Sequence, residues 1–540
     1  MTEKWLAVTI AAVFVFCVGC RDGLEQEVVS VEAAAAAGAE ERTEDFRPPT
    51  EPIGSTTGVP IDAHNPSEQS PKGDCVPDCT GISCGSDGCG GSCGHCSGTQ
   101  VCRSGACVES DPPVTTVCGA LGSPTTWRLS DSPVLVSCNL NVTAPLTIEP
   151  GVLVQVSGSS TTITVNTGGS IQANGSEELP IVFTSASGTA SGSWGSLVLN
   201  ATAANSSITH TEFRYGGGVN KAPIYLNPIG LTNQRIFNQL YFVNNVMNGI
   251  ALPETISGNA RIPSAPGIAY WWENDVKIPE AVTLVIERDV VLKFAYKYSE
   301  IDVYGRLVAQ GTPSQPVIFT SAKDDSRAGD SNNDGSTSPQ PKDWGGIYFA
   351  NNTSLPQSEL HNVIIAYAGQ DADDTAPHPD DPTIGYPILI HAYENPVFDN
   401  VVFEKNRIDA QAITVGTWSS DVHLDLAGYP YWVSNDITIS AANTTTIDPG
   451  VILKFGRQYA EINVEGRLIA NGTSDSPVIF TSSKDDARGG DNNADGATSP
   501  QPKDWGGIYF ANNTSLPQSE LHNVIIAYAG QDADDTAPPS

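Results

Sequence analysis

The segment KFAYKYSEIDVYGRLVAQGTPSQPVIFTS at 293–321 returns as KFGRQYAEINVEGRLIANGTSDSPVIFTS at 454–482, and residues 337–377 recur unchanged at 498–538, always 161 residues apart. A more divergent first copy supplies IEPGVLVQV at 148–156, PIVFTS at 180–185, Trp194-Gly195 and ITHTEFRYGG at 208–217. This repetition constrains the fold more than any other feature, because copies of one short unit bury their apolar faces by stacking on their neighbours. Within a copy, the runs VILKF, EINVEG, PVIFTS, GGIYF and NVIIAY are four to six residues long, rich in β-branched residues and separated by Gly, Asn, Asp and Pro. No helical period falls between them, and PVFDNVVFEKNRI at 396–408 is punctuated by Asn as a solenoid coil would be. The expected fold class is all-β, a parallel solenoid; an array of three β-sandwich domains is the alternative.

On the strength of the IEPG and PIVFTS phrases and this rhythm, the chain from about residue 118 onward resembles bacterial right-handed parallel β-helix proteins of the pectin-lyase-like superfamily. The resemblance implies a β-helix. For function it implies either a binding scaffold or an enzyme acting on acidic polysaccharide.

The chain divides accordingly. Lys4 precedes an apolar run, Trp5 to Val18, too short to span a bilayer and suited to an export signal over 1–19. The ending Val18-Gly19-Cys20 resembles a bacterial lipobox, with Cys17 where that family prefers Leu, and implies lipidation of Cys20. Arg21 rather than Asp follows it, which by resemblance to enterobacterial sorting implies the outer membrane and the cell surface. Residues 20–74, with an alanine tract, acidic clusters and RPPTEP, hold too few large apolar side chains to form a core and are expected to be a disordered tether. Residues 75–108 form a Cys/Gly-rich module that resembles those of myxobacteria-like surface proteins. Copy 1 of the solenoid follows at 109–266, copy 2 at 267–427 and an incomplete copy 3 at 428–540. Copy 3 stops where copy 2 continues through 378–427, so the last coil is expected to offer a free strand edge.

Without Cys17 and Cys20, ten cysteines remain: Cys75, Cys79, Cys84, Cys89, Cys93, Cys96, Cys102 and Cys107 in the module, then Cys118 and Cys138. Both groups are even, which in an exported chain predicts a disulfide knot of open connectivity and a separate Cys118–Cys138 bridge. Cys93-Gly94-His95-Cys96 matches the CGHC of disulfide isomerases, but no βαβ frame surrounds it, so structural bridges are expected rather than a redox or zinc site.

A net charge of −34 with only 27 Lys plus Arg argues against nucleic acid or an anionic membrane surface as partner and favours cations, polysaccharide or cell-surface components. No catalytic residue is assigned. Arg327 and Arg488, recurring beside acidic loops, and His361, His522 and His391 are the nearest candidates for a lyase, but no acid/base pair accompanies them. The acidic loops are the main binding candidates. Between PIVFTS and the next Trp-Gly, copy 1 crosses in ASGTASGS, whereas copies 2 and 3 insert 14 further residues. Asp330, Asn332 and Asp334, followed by Gly335, match the front half of the D-x-N-x-D-G calcium loop, as do Asp491, Asn493 and Asp495, followed by Gly496. Differences between the two loops fall on spacer positions. Pro341 and Pro502 stand where that motif has its bidentate Glu, so further carboxylates are needed, with Asp324, Asp325, Asp343 and their later partners as candidates. The plain alternative is a solvated turn. The run QDADDTAPHPDD at 370–381 reads as solvated loop.

Overall fold

A computed structural model describes residues 78–531, apart from 85–92, 99, 104, 110–114, 201–204, 232–234, 351–354, 371–384, 392–393, 395, 414 and 426–428. The export segment, the tether, Cys20, Cys75, Cys89 and all but Gln370 of the acidic run at 370–381 therefore lie outside the described residues. Among those described, the helical structure is a single 3-10 turn, Leu129–Asp131. Every strand pairing from Thr115 onward is parallel, as in Val291–Phe294 beside Val317–Ser321. That excludes the sandwich alternative, whose sheets are antiparallel, and establishes a parallel β-helix.

A coil of copy 2 runs through Arg306–Gln310, Val317–Ser321 and Ile347–Phe349, then climbs to Glu359–Ala366 and Ile388–Ile390. Glu359–Ala366 turns a corner at Asn362, whose φ is 50°, and the next coil turns at Asn400, with φ 54°. Asn tolerates this left-handed conformation better than most residues. The two side chains stack: Asn400 Nδ2 donates to Asn362 Oδ1 at 2.8 Å, and Asn362 Nδ2 to the Gly311 carbonyl at 3.2 Å. Gly311 has no alternative there, because a Cβ would lie 2.2 Å from the Asn362 carbonyl oxygen.

Alternate residues of each strand fill the interior. Phe294 stacks on the fully buried Trp344 with ring centroids 4.0 Å apart, and Phe455 on Trp505 at 3.9 Å. Each Trp-Gly phrase thus anchors the chain's return from the preceding loop. Its indole N–H is satisfied by a backbone carbonyl, Arg214 for Trp194, Ala366 for Trp344 and Ala527 for Trp505, at 2.7 to 2.8 Å.

Successive copies are out of phase by one stack of strands. The stack Ile163–Val165, Leu197–Leu199, Ile224–Leu226 and Ile250–Ala251 of copy 1 continues through Ala269–Trp272 into Val291–Phe294. Likewise, Ile301–Val303 of copy 2 leads through Ile347–Phe349, Ile388–Ile390, Gln411–Ile413 and Tyr431–Val433 to Ile452–Phe455 of copy 3. Duplicated loops therefore emerge from successive stacks.

In the module, Cys79 is bonded to Cys93, Cys84 to Cys102 and Cys96 to Cys107, around the antiparallel pair Val101–Arg103 and Ala106–Val108. The two CGHC cysteines are thus bonded elsewhere rather than to each other. Cys118 and Cys138 are bridged, joining the strands Thr115–Leu121 and Val134–Val142.

Candidate metal-binding loops

In each inserted loop, the carboxylates divide into those that build the loop and those that remain. At the base, Asp343 accepts from Ser321 Oγ, the Gln340 N–H and the Lys323 ammonium at 2.7 to 2.9 Å, and Asp504 does the same with Ser482, Gln501 and Lys484. The buried Asp324 accepts from Thr320 at 2.7 Å and pairs with Arg327; Asp485 holds Thr481 and Arg488. Asp324 and Asp343, both candidate ligands by sequence, are therefore committed to cations and hydroxyls of the loop itself.

Asp325 and Asp486 are different. One oxygen of each accepts from a threonine, Thr337 or Thr498, through both its backbone N–H and its hydroxyl. The other oxygen, Oδ1, is inaccessible to solvent and has no hydrogen-bond partner, and the same is true of Asn332 Oδ1 and Asn493 Oδ1. Buried acceptors left unmatched are costly, so these four point to an absent partner. In copy 3, carboxylate oxygens of Asp486, Asp491 and Asp495 lie within 4.8 Å of one another. Among the described residues, the corresponding trio of copy 2 does not close to that spacing. There both Asp330 oxygens are occupied by the N–H groups of Asp334 and Gly335. Gly335 and Gly496 adopt φ of 86° and 84°, the sharp turn this motif requires of its glycine.

Sequence reasoning missed the lysine under each loop. Lys293 and Lys454 are fully buried on the outer face of their strands, and their ammonium groups donate to the carbonyls of Gly329 at 2.7 Å and Gly490 at 2.6 Å. Burial lowers each pKa to about 8, opposed by Asp324, Asp325, Asp330 and Asp334 around the first and by Asp486, Asp485, Asp491 and Asp495 around the second. A signal was present in the repeat itself. Strand register sets Gln155 of copy 1, Lys293 and Lys454 beside Thr184, Thr320 and Thr481, so the lysine accompanies the inserted loop and glutamine stands where the loop is lacking.

Each loop also reaches back to the preceding copy. The Asn248 N–H donates to the Ser331 carbonyl at 2.6 Å, and the Asp409 N–H to that of Asn492 at 2.7 Å. Copy 1, without a loop, is covered over the same strand by the disulfide module. Thr184 donates to the Gly98 carbonyl, where Thr320 and Thr481 donate to Asp324 and Asp485. The module is held there by Arg214, buried and paired with Glu212 at 2.8 Å, which also donates to the Gln100 carbonyl, and by His95, 3.3 Å from Glu212.

The lyase candidates are engaged in structural contacts. The two terminal nitrogens of Arg327 bind Asp324 and Glu404, and Arg488 binds Asp485. His361, beside the corner Asn362, lies 3.2 Å from Asp399 and 3.5 Å from Glu359 on the exterior, and its copy His522 lies 3.9 Å from Glu520. His391 is half-buried, which lowers its pKa.

A family model described as a pectate-lyase like beta helix domain matches residues 126–222, and no curated protein or solved structure matches the chain. Fold and match together define the class: the chain is a parallel β-helix, part of which, residues 126–222, is similar to the pectate-lyase-like β-helix domain. The matched segment lies within copy 1, which has neither acidic loop nor buried lysine.

Proposed function

We propose that this is a non-catalytic, lipid-anchored protein of the outer surface, a calcium-stiffened β-helix that presents its loops to glycans or neighbouring cells. The observation that carries the calcium reading is the set of orphaned oxygens, Asp486 Oδ1 and Asn493 Oδ1, beside the convergent Asp486, Asp491 and Asp495. An all-oxygen donor set of this kind suits a hard cation. Formal charge agrees. With Asp485 and Asp504 matched by Arg488 and Lys484, Asp486, Asp491 and Asp495 face at most the one positive charge of Lys454, an excess of negative charge that a divalent cation offsets. In copy 2, Asp325, Asp330 and Asp334 face Lys293 in the same way.

Calcium titration by calorimetry and by melting tests this. With an extracellular-type dissociation constant of about 10⁻⁴ to 10⁻³ M, millimolar calcium adds about 1 kcal/mol per site. The melting shift is expected to halve in Asp330→Ala/Asp334→Ala and to vanish when Asp491 and Asp495 are replaced as well. Absence of calcium-dependent heat, with melting indifferent to EDTA, would leave the loops as solvated turns.

The family match supports a second reading, an enzyme acting on acidic polysaccharide. Calcium-dependent cleavage of pectate or alginate would establish it. The engagement of Arg327 and Arg488 by carboxylates favours the first reading.

A further inference from the structure

One buried contact in copy 3 brings together a nucleophile and an electrophile. The Lys454 amine lies 2.8 Å from Asn492 Oδ1, with Lys454 fully buried and Asn492 8 % exposed. The carboxamide is pinned from its other end, where Nδ2 donates to the Asp409 carbonyl at 3.1 Å, and the amine is held by the Gly490 carbonyl at 2.6 Å. Nζ already lies against the carboxamide oxygen, and turning the carboxamide plane about the Cβ–Cγ bond exposes the face of Cγ to the amine.

We propose that Lys454 and Asn492 join spontaneously in an intramolecular isopeptide bond that fastens the acidic loop of copy 3 to the strand beneath it. The bond between Nζ and Cγ forms as that between Cγ and Nδ2 breaks. One amine proton passes to Nδ2, which leaves as ammonia, and nothing is oxidised or reduced. Amines and carboxamides do not exchange in dilute water, but confinement of both groups in one orientation supplies the large effective concentration that intramolecular reactions enjoy. Burial favours the neutral, nucleophilic amine and keeps out the water that would hydrolyse the carboxamide instead.

The protein contains its own control. In copy 2 the residue equivalent to Asn492 is Ser331, buried and without a carboxamide, so Lys293 has nothing to attack. Because the loop also grips the preceding copy through Asp409, the bond would brace the junction between copies 2 and 3.

Peptide mapping of the reduced, denatured full chain by mass spectrometry decides the matter. The expected result is a branched tryptic peptide joining Lys454 to Asn492, lighter than its two parts by about 17 Da, the mass of ammonia, with no cleavage after Lys454. Lys293 should be cleaved and unlinked. Asn492→Ser, which installs the side chain copy 2 already uses, should restore cleavage after Lys454, whereas Ser331→Asn should create a second branch at Lys293. Quantitative cleavage after Lys454 in the unaltered chain, with Asn492 recovered at its ordinary mass, would overturn the proposal. So would Ser331→Asn leaving Lys293 unlinked, since the contact would then be insufficient to drive the reaction.

Discussion

Raising the pH should stabilise this protein relative to Lys293→Met, and the size of the effect follows from the burial of one ammonium group. The ordinary lysine pKa of 10.5 falls to about 8 in the folded chain. At about 1.4 kcal/mol per pH unit, a charged Lys293 costs the folded state about 3 kcal/mol near neutrality. The folded pKa lies below the unfolded one, so between about pH 8 and 10.5 the unfolded chain binds a proton that the folded chain does not, and stability rises with pH. From about pH 7 to 9.5 roughly 2 kcal/mol should be recovered. Methionine retains much of the aliphatic stem and cannot titrate, so its loss of the bond to the Gly329 carbonyl shifts stability by an amount independent of pH. Urea unfolding of both proteins in EDTA, which keeps calcium from competing for the same aspartates, measures the difference. If the two stabilities stay parallel across this range, Lys293 is not held charged in a desolvated site and the account of the loop as clasped on a buried cation is wrong. Lys293 is the residue to test, because Lys454 ceases to titrate if it is linked to Asn492.

Trp344→Ala should destabilise copy 2 by about 3 to 5 kcal/mol, since it removes the partner of Phe294 and leaves the Ala366 carbonyl without its donor; hydrogen exchange resolved by peptide would show the loss centred on these coils. Cys93 should resist alkylation in the native protein, being bonded to Cys79; rapid labelling would restore the redox reading of CGHC. Cys20→Ser should abolish incorporation of labelled palmitate and detergent partitioning, and unchanged membrane association would reject the lipid anchor.

The sequence alone determined the class of fold. Short β-branched runs separated by Asn, Asp, Gly and Pro, and repeated at a constant offset, admit few arrangements other than stacked coils, because each run has one apolar face and no helix to cover it. The pairing of Cys118 with Cys138 and the structural role of the CGHC cysteines were also legible there, from parity and from the lack of a βαβ frame. Tertiary structure decided which aspartates of the loop are spent on it. Asp324, Asp325 and Asp343 are equivalent as letters, but one lies against Arg327, another against Lys323, and only Asp325 retains an unmatched buried oxygen. The sequence separates Lys454 from Asn492 by almost the whole length of the coil and insertion between them, and periodicity assigns the lysine to a strand without saying what covers it. Contact between groups distant in sequence is set by the pitch of the coil and the path of the returning loop. The same holds for the phase slip between copies, which arises from how many strands separate one repeat from the next and sends the duplicated loops out from different stacks of strands.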